Sequence, residues 1–314
     1  MVPMVQSPRS QAALQALLVV FIWSTSFILA KWAFRYGFRP LTLSGVRFAL
    51  AALLLTPLGL CARRRSSLVE RGSPGLGIGL ALGLAGYAVN TGGYNFGLFY
   101  LIPAEVALLL ALNNTLQVLI WGWLLLKEIP GRLQLAATGV GVGGLILFYS
   151  SHLPTRHLGA VFAVLAAGVG YALWIVGNRR FVGARGALDL TWQSMSWGAV
   201  ILLVAGIVVD GLPRVAALGW LIVVVLAALN TAFAFVLWGH TQKVLTSYES
   251  AVINNTQTVQ VALLSLILLG EPLNVRRWIA IVIVTVATII VHIARPRNMR
   301  LTRDCEGGQP ERRA

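Results

Sequence analysis

The sequence predicts an all-α integral membrane protein with ten transmembrane helices in two inverted five-helix repeats. Three observations predict it. The 314 residues are 57% apolar and only 11% charged, whereas a soluble domain carries about 25% charge. Ten apolar stretches each approach the roughly 20 residues that a helix needs to cross a bilayer. One patterned stretch is also written twice. Glu105 stands two before Ala107, and Glu249 two before Ala251; Asn114-Thr115-Leu116-Gln117 then matches Gln257-Thr258-Val259-Gln260. Ten residues follow in each copy before Glu128 and Glu271, and a one-residue gap joins the two registers. Internal repetition in a membrane chain marks a transporter built from two related halves.

The ten stretches are 12–33, 41–62, 74–100, 104–126, 133–150, 158–177, 188–209, 218–241, 249–269 and 276–294. They define an N-terminal segment 1–11, a first repeat 12–150, a second repeat 158–294 and a basic tail 295–314. No stretch of soluble composition remains to carry a separate activity. The first span is longer than the apolar core of a signal peptide and holds Lys31 near its end, so cleavage is not expected. Span two opens on Pro40 and contains Arg47; the arginine-rich loop 63–73 after it reads as irregular. Span three carries Gly75, Gly79 and Gly83, then a polar stripe of Asn90, Thr91, Tyr94 and Asn95. Span five carries Gly139 and Gly143. Such spacing of small residues, in a chain with 32 glycines, is expected to pack helices closely. The second half echoes the first: Leu188-Asp189-Leu190-Thr191 resembles Leu41-Thr42-Leu43-Ser44, and Trp238 falls opposite Tyr94 when Glu105 and Glu249 are aligned.

Charge placement gives the orientation. The net charge is +15, but the basic residues sit in short segments between spans, so nucleic acid is not the expected partner. With both termini on one side, the segments of that side hold 17 Lys and Arg, against 6 on the other. The positive-inside rule then places both ends in the cytoplasm of a bacterial membrane. Arg276 and Arg277 are the local exception. Five is odd, so the second half enters from the opposite side and the repeat is inverted. The tail 295–314 reads as disordered and suited to anionic headgroups. Cys61 and Cys305 both fall on the cytoplasmic side, which argues against a disulfide.

Several polar residues stand where apolar ones are cheaper. Asn113, Asn114 and Gln117 lie mid-span in the fourth helix, and Asn254, Gln257 and Gln260 in the ninth. They either bond helix to helix, at about 0.6–2 kcal/mol per contact, or wall a wetted cavity. At least one amide per helix is expected to face a solute. Asn113 and Gln117 share a face, with Asn114 turned by about 100°. Tyr87, Asn90 and Tyr94 fall on one side of span three; Asn230, Thr231 and Trp238 are expected to form a similar stripe on span eight. These rings either stack on a solute or pack in an interfacial belt. Ser24, Ser26, Tyr171 and Trp174 are further candidates. Lys31 and Arg47 sit near helix ends, where snorkelling is the cheaper account; the rival is a substrate carboxylate or Glu105. Glu105 and Glu249 lie in first turns, where an acid complements the helix dipole. Glu128 and Glu271 hold polar turns or pair with basic neighbours.

The residues resemble a known family, the EamA-like branch of the drug/metabolite transporter superfamily. Trp23-Ser24-Thr25-Ser26 followed by Lys31 looks like its opening pattern. Pro40-Leu41-Thr42 running to Arg47-Phe48 and Ala51 is similar to its second-span pattern. Glu128 and Glu271 match the glutamate after its fourth and ninth spans. The likeness covers about 12–294. It implies ten helices around a central cavity and carriage of small polar metabolites, often outward, with amino acids prominent. Many members have a proline in spans four and nine; this chain has none there, so the resemblance carries no helix break over to Asn114-Thr115 or Gln257-Thr258.

No P-loop, nucleophile elbow or zinc motif occurs, so no enzyme, no cofactor and no metal are expected. His152, His157, His240 and His292 lack ligand spacing. No Asp or Glu lies at mid-bilayer, which favours facilitated diffusion or exchange over proton coupling. The expected partners are a small-molecule solute and the lipid bilayer, with the chain a monomer. The rivals are a membrane receptor or assembly subunit that binds without transporting and, within transport, a hydrophobic-drug exporter or a nucleotide-sugar carrier.

Overall fold

The computed structural model describes residues 8–69, 76–126, 129–150, 155–185, 187–241, 244–245 and 247–294. These form ten helical rods. The first half holds α1 (Pro8–Arg35), α2 (Pro40–Val69), α3, α4 (Pro103–Leu126) and α5 (Arg132–Tyr149). The second holds α6 (Leu158–Arg185), α7 (Ala187–Val209), α8, α9 and α10 (Val275–Ile293). α3 is Leu76–Gly83, a π turn Leu84–Val89 and Asn90–Tyr100; α8 is Ala217–Ala227, a π turn Ala228–Phe233 and Ala234–Thr241. α9 is Ser247–Asn255 and Gln257–Leu269.

Nine helices among the described residues are long and apolar enough to cross a membrane. α3 is the rod outside that set, because Asn90 to Asn95 dilute its apolar run. α2 continues to Val69, through most of the segment expected to be irregular, since arginine and leucine propagate a helix well. The expectations for Gly75, Glu128, His152, Cys305 and the tail 295–314 fall outside the described residues.

The two halves exchange under a pseudo-two-fold. α2 packs on α7, α5 on α10 and α4 on α9, each pair being its own counterpart; α3 against α6 matches α8 against α1. Lipid supplies no hydrophobic drive between helices, so small residues that admit a neighbouring backbone do this work. A Cβ on Gly45 of α2 would stand 2.7 Å from Leu203 N, and one on Gly206 of α7 2.8 Å from Thr42 N. The stripe expected on α5 is corrected: nothing lies within 4 Å of a Cβ on Gly139 or Gly143. Gly141 and Gly144, on the other face, are the ones packed, with 2.9 Å approaches to Leu112 and Ile283.

At the end of the bundle away from the termini, the two halves interlock. Asp210, just past α7, caps α2: its Oδ2 accepts from Leu41 N and Thr42 N, both at 2.8 Å. Ala216 N donates to Tyr36 O at 3.1 Å. Gly37 sits at φ +102, with Arg214 O only 2.3 Å from where a Cβ would be, so no side chain fits.

The π turns begin 144 residues apart and end 144 residues apart. That is also the separation of Glu105 and Glu249, so both turns occupy one position of the repeat. α9 breaks at Thr256, where N donates to Ile253 O at 3.1 Å, one residue short of the α pattern. Thr256 Oγ1 takes the same carbonyl at 2.6 Å. A run of Asn, Thr and Gln side chains competes with the backbone ladder there. α4 stays continuous through Asn113-Asn114-Thr115, with Thr115 Oγ1 donating to Ala111 O at 2.8 Å.

Candidate functional site

A π turn widens the helix by one residue and frees backbone groups that need new partners. The turn of α8 meets this with polar side chains. Asn230 is fully buried. Its Nδ2 donates to the Ile22 carbonyl of α1 and to Thr25 Oγ1 at 2.9 Å. Thr231 Oγ1 donates to Leu226 O at 2.9 Å and accepts from Arg47 Nε at 2.8 Å. The Arg47 guanidinium also reaches Tyr94 Oη and Asn230 O, each at 3.4 Å. It lies 5.6 Å from the centroid of the Phe48 ring. Tyr94 stacks on Phe27 with centroids 5.8 Å apart. Arg47 is 5% exposed. The snorkelling expected of it is therefore corrected: the side chain turns inward, onto Thr231, Tyr94 and the Asn230 carbonyl.

The turn of α3 is filled with rings instead. Tyr87, 2% exposed, meets Phe48 edge-on at 5.0 Å and Trp174 at 6.4 Å. Trp174 lies 6.3 Å from Tyr171. A Cβ on Gly86 would stand 2.2 Å from Trp174 Cδ1, so the glycine lets the indole onto the turn. Three predicted aromatic candidates, Tyr87, Tyr171 and Trp174, are thus brought together between α3 and α6. Because Tyr87 lies within the π turn and Asn90 just after it, these two no longer share one regular helical face. Asn90 is half-buried.

The amides divide. Asn113 is buried and donates to the α6 carbonyls of Val164 and Leu165 at 3.1 and 2.9 Å. It joins helices rather than walling a cavity. Gln260 does likewise: Ser24 Oγ lies 3.0 Å from its Oε1 and 2.8 Å from Val20 O, one proton between two acceptors. Gln260 Nε2 donates to Thr256 Oγ1 at 3.0 Å. Gln117 Oε1 accepts from Trp121 Nε1 at 3.1 Å. Asn114 is half-buried, and its Oδ1 is sequestered without a partner. Asn254 and Gln257 are half-buried on either side of the α9 break. Ser26 is spent on Trp23 O of its own helix. Trp238 packs on Trp23, 5.2 Å between centroids, which is helix packing near the terminal end.

The remaining charges sit toward helix ends. Lys31 is half-buried within electrostatic range of Glu271 and Glu105. Glu105 is buried in the first turn of α4. Ser265 donates to Glu271. Glu249 occupies the first turn of α9 and adds an ion pair to Arg9 at 2.9 Å. Sequence reasoning missed Asp210, whose cap crosses between the halves, and Gln134. The latter ties α5 to the end of α10 by donating to Val291 O and Ala294 O at 3.1 and 3.0 Å. Phe27 and Phe48 were missed too, since one more phenylalanine in an apolar span carries no signal.

The model of the EamA-like transporter family matches residues 10–150 and again 158–293. No curated protein matches the chain. A solved structure described only as the crystal structure of a protein is similar, with a TM-score of 0.64 and 20% identity. The match covers 92% of this chain and 99% of that one, and supports the fold alone.

Proposed function

The chain belongs to the EamA-like transporter family, and from that premise we propose that it exports small polar metabolites such as amino acids by alternating access through a central cavity. A membrane transporter of the drug/metabolite superfamily is what the family establishes; the solute class and the direction are our reading. The observation that carries it is the pairing of the two π turns at one position of an inverted repeat. Two halves that exchange under a pseudo-two-fold can present one set of side chains first to one face and then to the other. Asn114 of α4 and Gln257 of α9, on rods that pack together, are the amides we assign to the solute path. The aromatic group of Tyr87, Tyr171 and Trp174 is the second wall we assign to that path. The excess of basic residues at the terminal end favours a cytoplasmic side for both termini, and we read the chain as a monomer.

The test is release from liposomes. Purified protein is reconstituted and loaded with a mixed pool of amino acids and small metabolites, and mass spectrometry follows what leaves. Selective release above that of empty liposomes is the expected result. No selective release from folded protein, with or without an imposed pH gradient, would sink the proposal.

A further inference from the structure

We propose that the Arg47 guanidinium, set among Tyr94, Asn230 and Thr231, is the subsite that takes a carboxylate of the transported solute. This rests on the carrier reading above and gives it a chemical class.

A guanidinium inside a membrane span is costly and is held there only with partners. Those of Arg47 are all neutral oxygens: a threonine hydroxyl, a tyrosine hydroxyl and a backbone carbonyl. No carboxylate of the described residues pairs with it. Lys31, the other cation within a span, is different, with Glu271 and Glu105 in electrostatic range. Arginine carries five N–H donors. Three contacts engage it, and two of these are 3.4 Å long, beyond an ordinary N–H···O bond. Only the Nε bond to Thr231 is short, at 2.8 Å. The Nη edge is therefore held loosely, and that edge is the one a carboxylate engages with two parallel bonds. Phe48 lies under the ring-facing side of the guanidinium and helps fix its plane.

A second observation comes from Asn230. Its orientation is fixed, because the Ile22 carbonyl can only accept and so must face the Nδ2. Its Oδ1 is then buried with no partner. The residue that lends Arg47 a backbone oxygen thus also carries an unmet acceptor. A solute ammonium can supply that hydrogen bond. A cation and an orphaned acceptor on adjoining groups fit a zwitterion, carboxylate to Arg47 and ammonium to Asn230.

The experiment loads protein-bearing liposomes with the common L-amino acids and, in equal amounts, their C-terminal amides. The amides keep size and ammonium and lose the carboxylate. The expected result is release of acids over amides from the native protein. Arg47→Lys keeps the charge but not the fork, and should cut acid release about tenfold; Arg47→Gln should abolish it. Acids and amides leaving equally, or Arg47→Lys keeping the native acid-over-amide ratio, would overturn the subsite and leave the carrier standing. Should Arg47→Gln fail to fold, the native ratio and the lysine variant still decide. If the native protein releases nothing, the amino-acid reading fails by itself. The subsite is then judged by melting in sodium acetate against sodium chloride at equal ionic strength. Stabilisation by acetate that Arg47→Lys loses upholds it, and equal melting rejects it.

Discussion

The two π turns occupy one position of the repeat and differ in the side chains that line them. In α3 the turn is closed by Tyr87 among Phe48 and Trp174. In α8 it is closed by Asn230 and Thr231 among the Ile22 carbonyl, Thr25 and Arg47. Repetition has preserved the wide turn while its lining diverged. A symmetric scaffold serves two-sided opening, whereas a solute with distinct ends needs distinct walls. The halves therefore agree in geometry and disagree in chemistry, and on the proposed reading that disagreement orients the solute.

The comparison can be broken most severely at the contact under the first turn. Gly170 of α6 lies against that turn, with Ala85 O 2.4 Å and Asn90 N 3.0 Å from where a Cβ would be. Gly170→Val should destabilise the protein by about 3 kcal/mol or more, seen as aggregation on size exclusion or a large fall in melting temperature. Asn230→Ala strips the second turn of its interhelical donor and should cost about 2 kcal/mol, read from the melting temperature of the purified protein. Asp210→Ala removes the cap that one half lends the other, and about 1 kcal/mol is expected. Tyr87→Phe sharpens the contrast. The Tyr87 hydroxyl is buried beside Ser194, and Tyr87→Phe keeps the ring contacts to Phe48 and Trp174, so it should cost no more than about 1 kcal/mol. If Tyr87→Phe proves as costly as Asn230→Ala, the two turns are not chemically distinct and the comparison fails.

Much of the fold was legible because the bilayer imposes its own ruler. A span must be apolar over its length, so the ten rods and the doubled Glu105 and Glu249 registers read directly from the residues. The π turns were not legible: Leu84 to Val89 and Ala228 to Phe233 hold no proline, and a register change of one residue leaves no compositional mark that the two segments share. The break at Thr256 was half-legible. The polar run of Asn, Thr and Gln was seen, but nearly the same run in α4 stays helical. Position misled for Arg47, since nearness to a helix end suggested the headgroups, whereas Thr231, Tyr94 and the Asn230 carbonyl receive it on the inner side. Asn113 and Gln260 were read as joining helices or facing solute, and their carbonyl and hydroxyl neighbours on α6 and α1 decide for joining.

Alternating access is the central claim, and two-sided labelling tests it most directly. In a background with Cys61→Ser and Cys305→Ser, Asn114→Cys or Gln257→Cys is reconstituted and treated with a membrane-impermeant maleimide from one face of the bilayer at a time. The account predicts labelling from either face at both positions, slowed when the transported solute is present. Labelling from one face alone, with solute and without it, would contradict it.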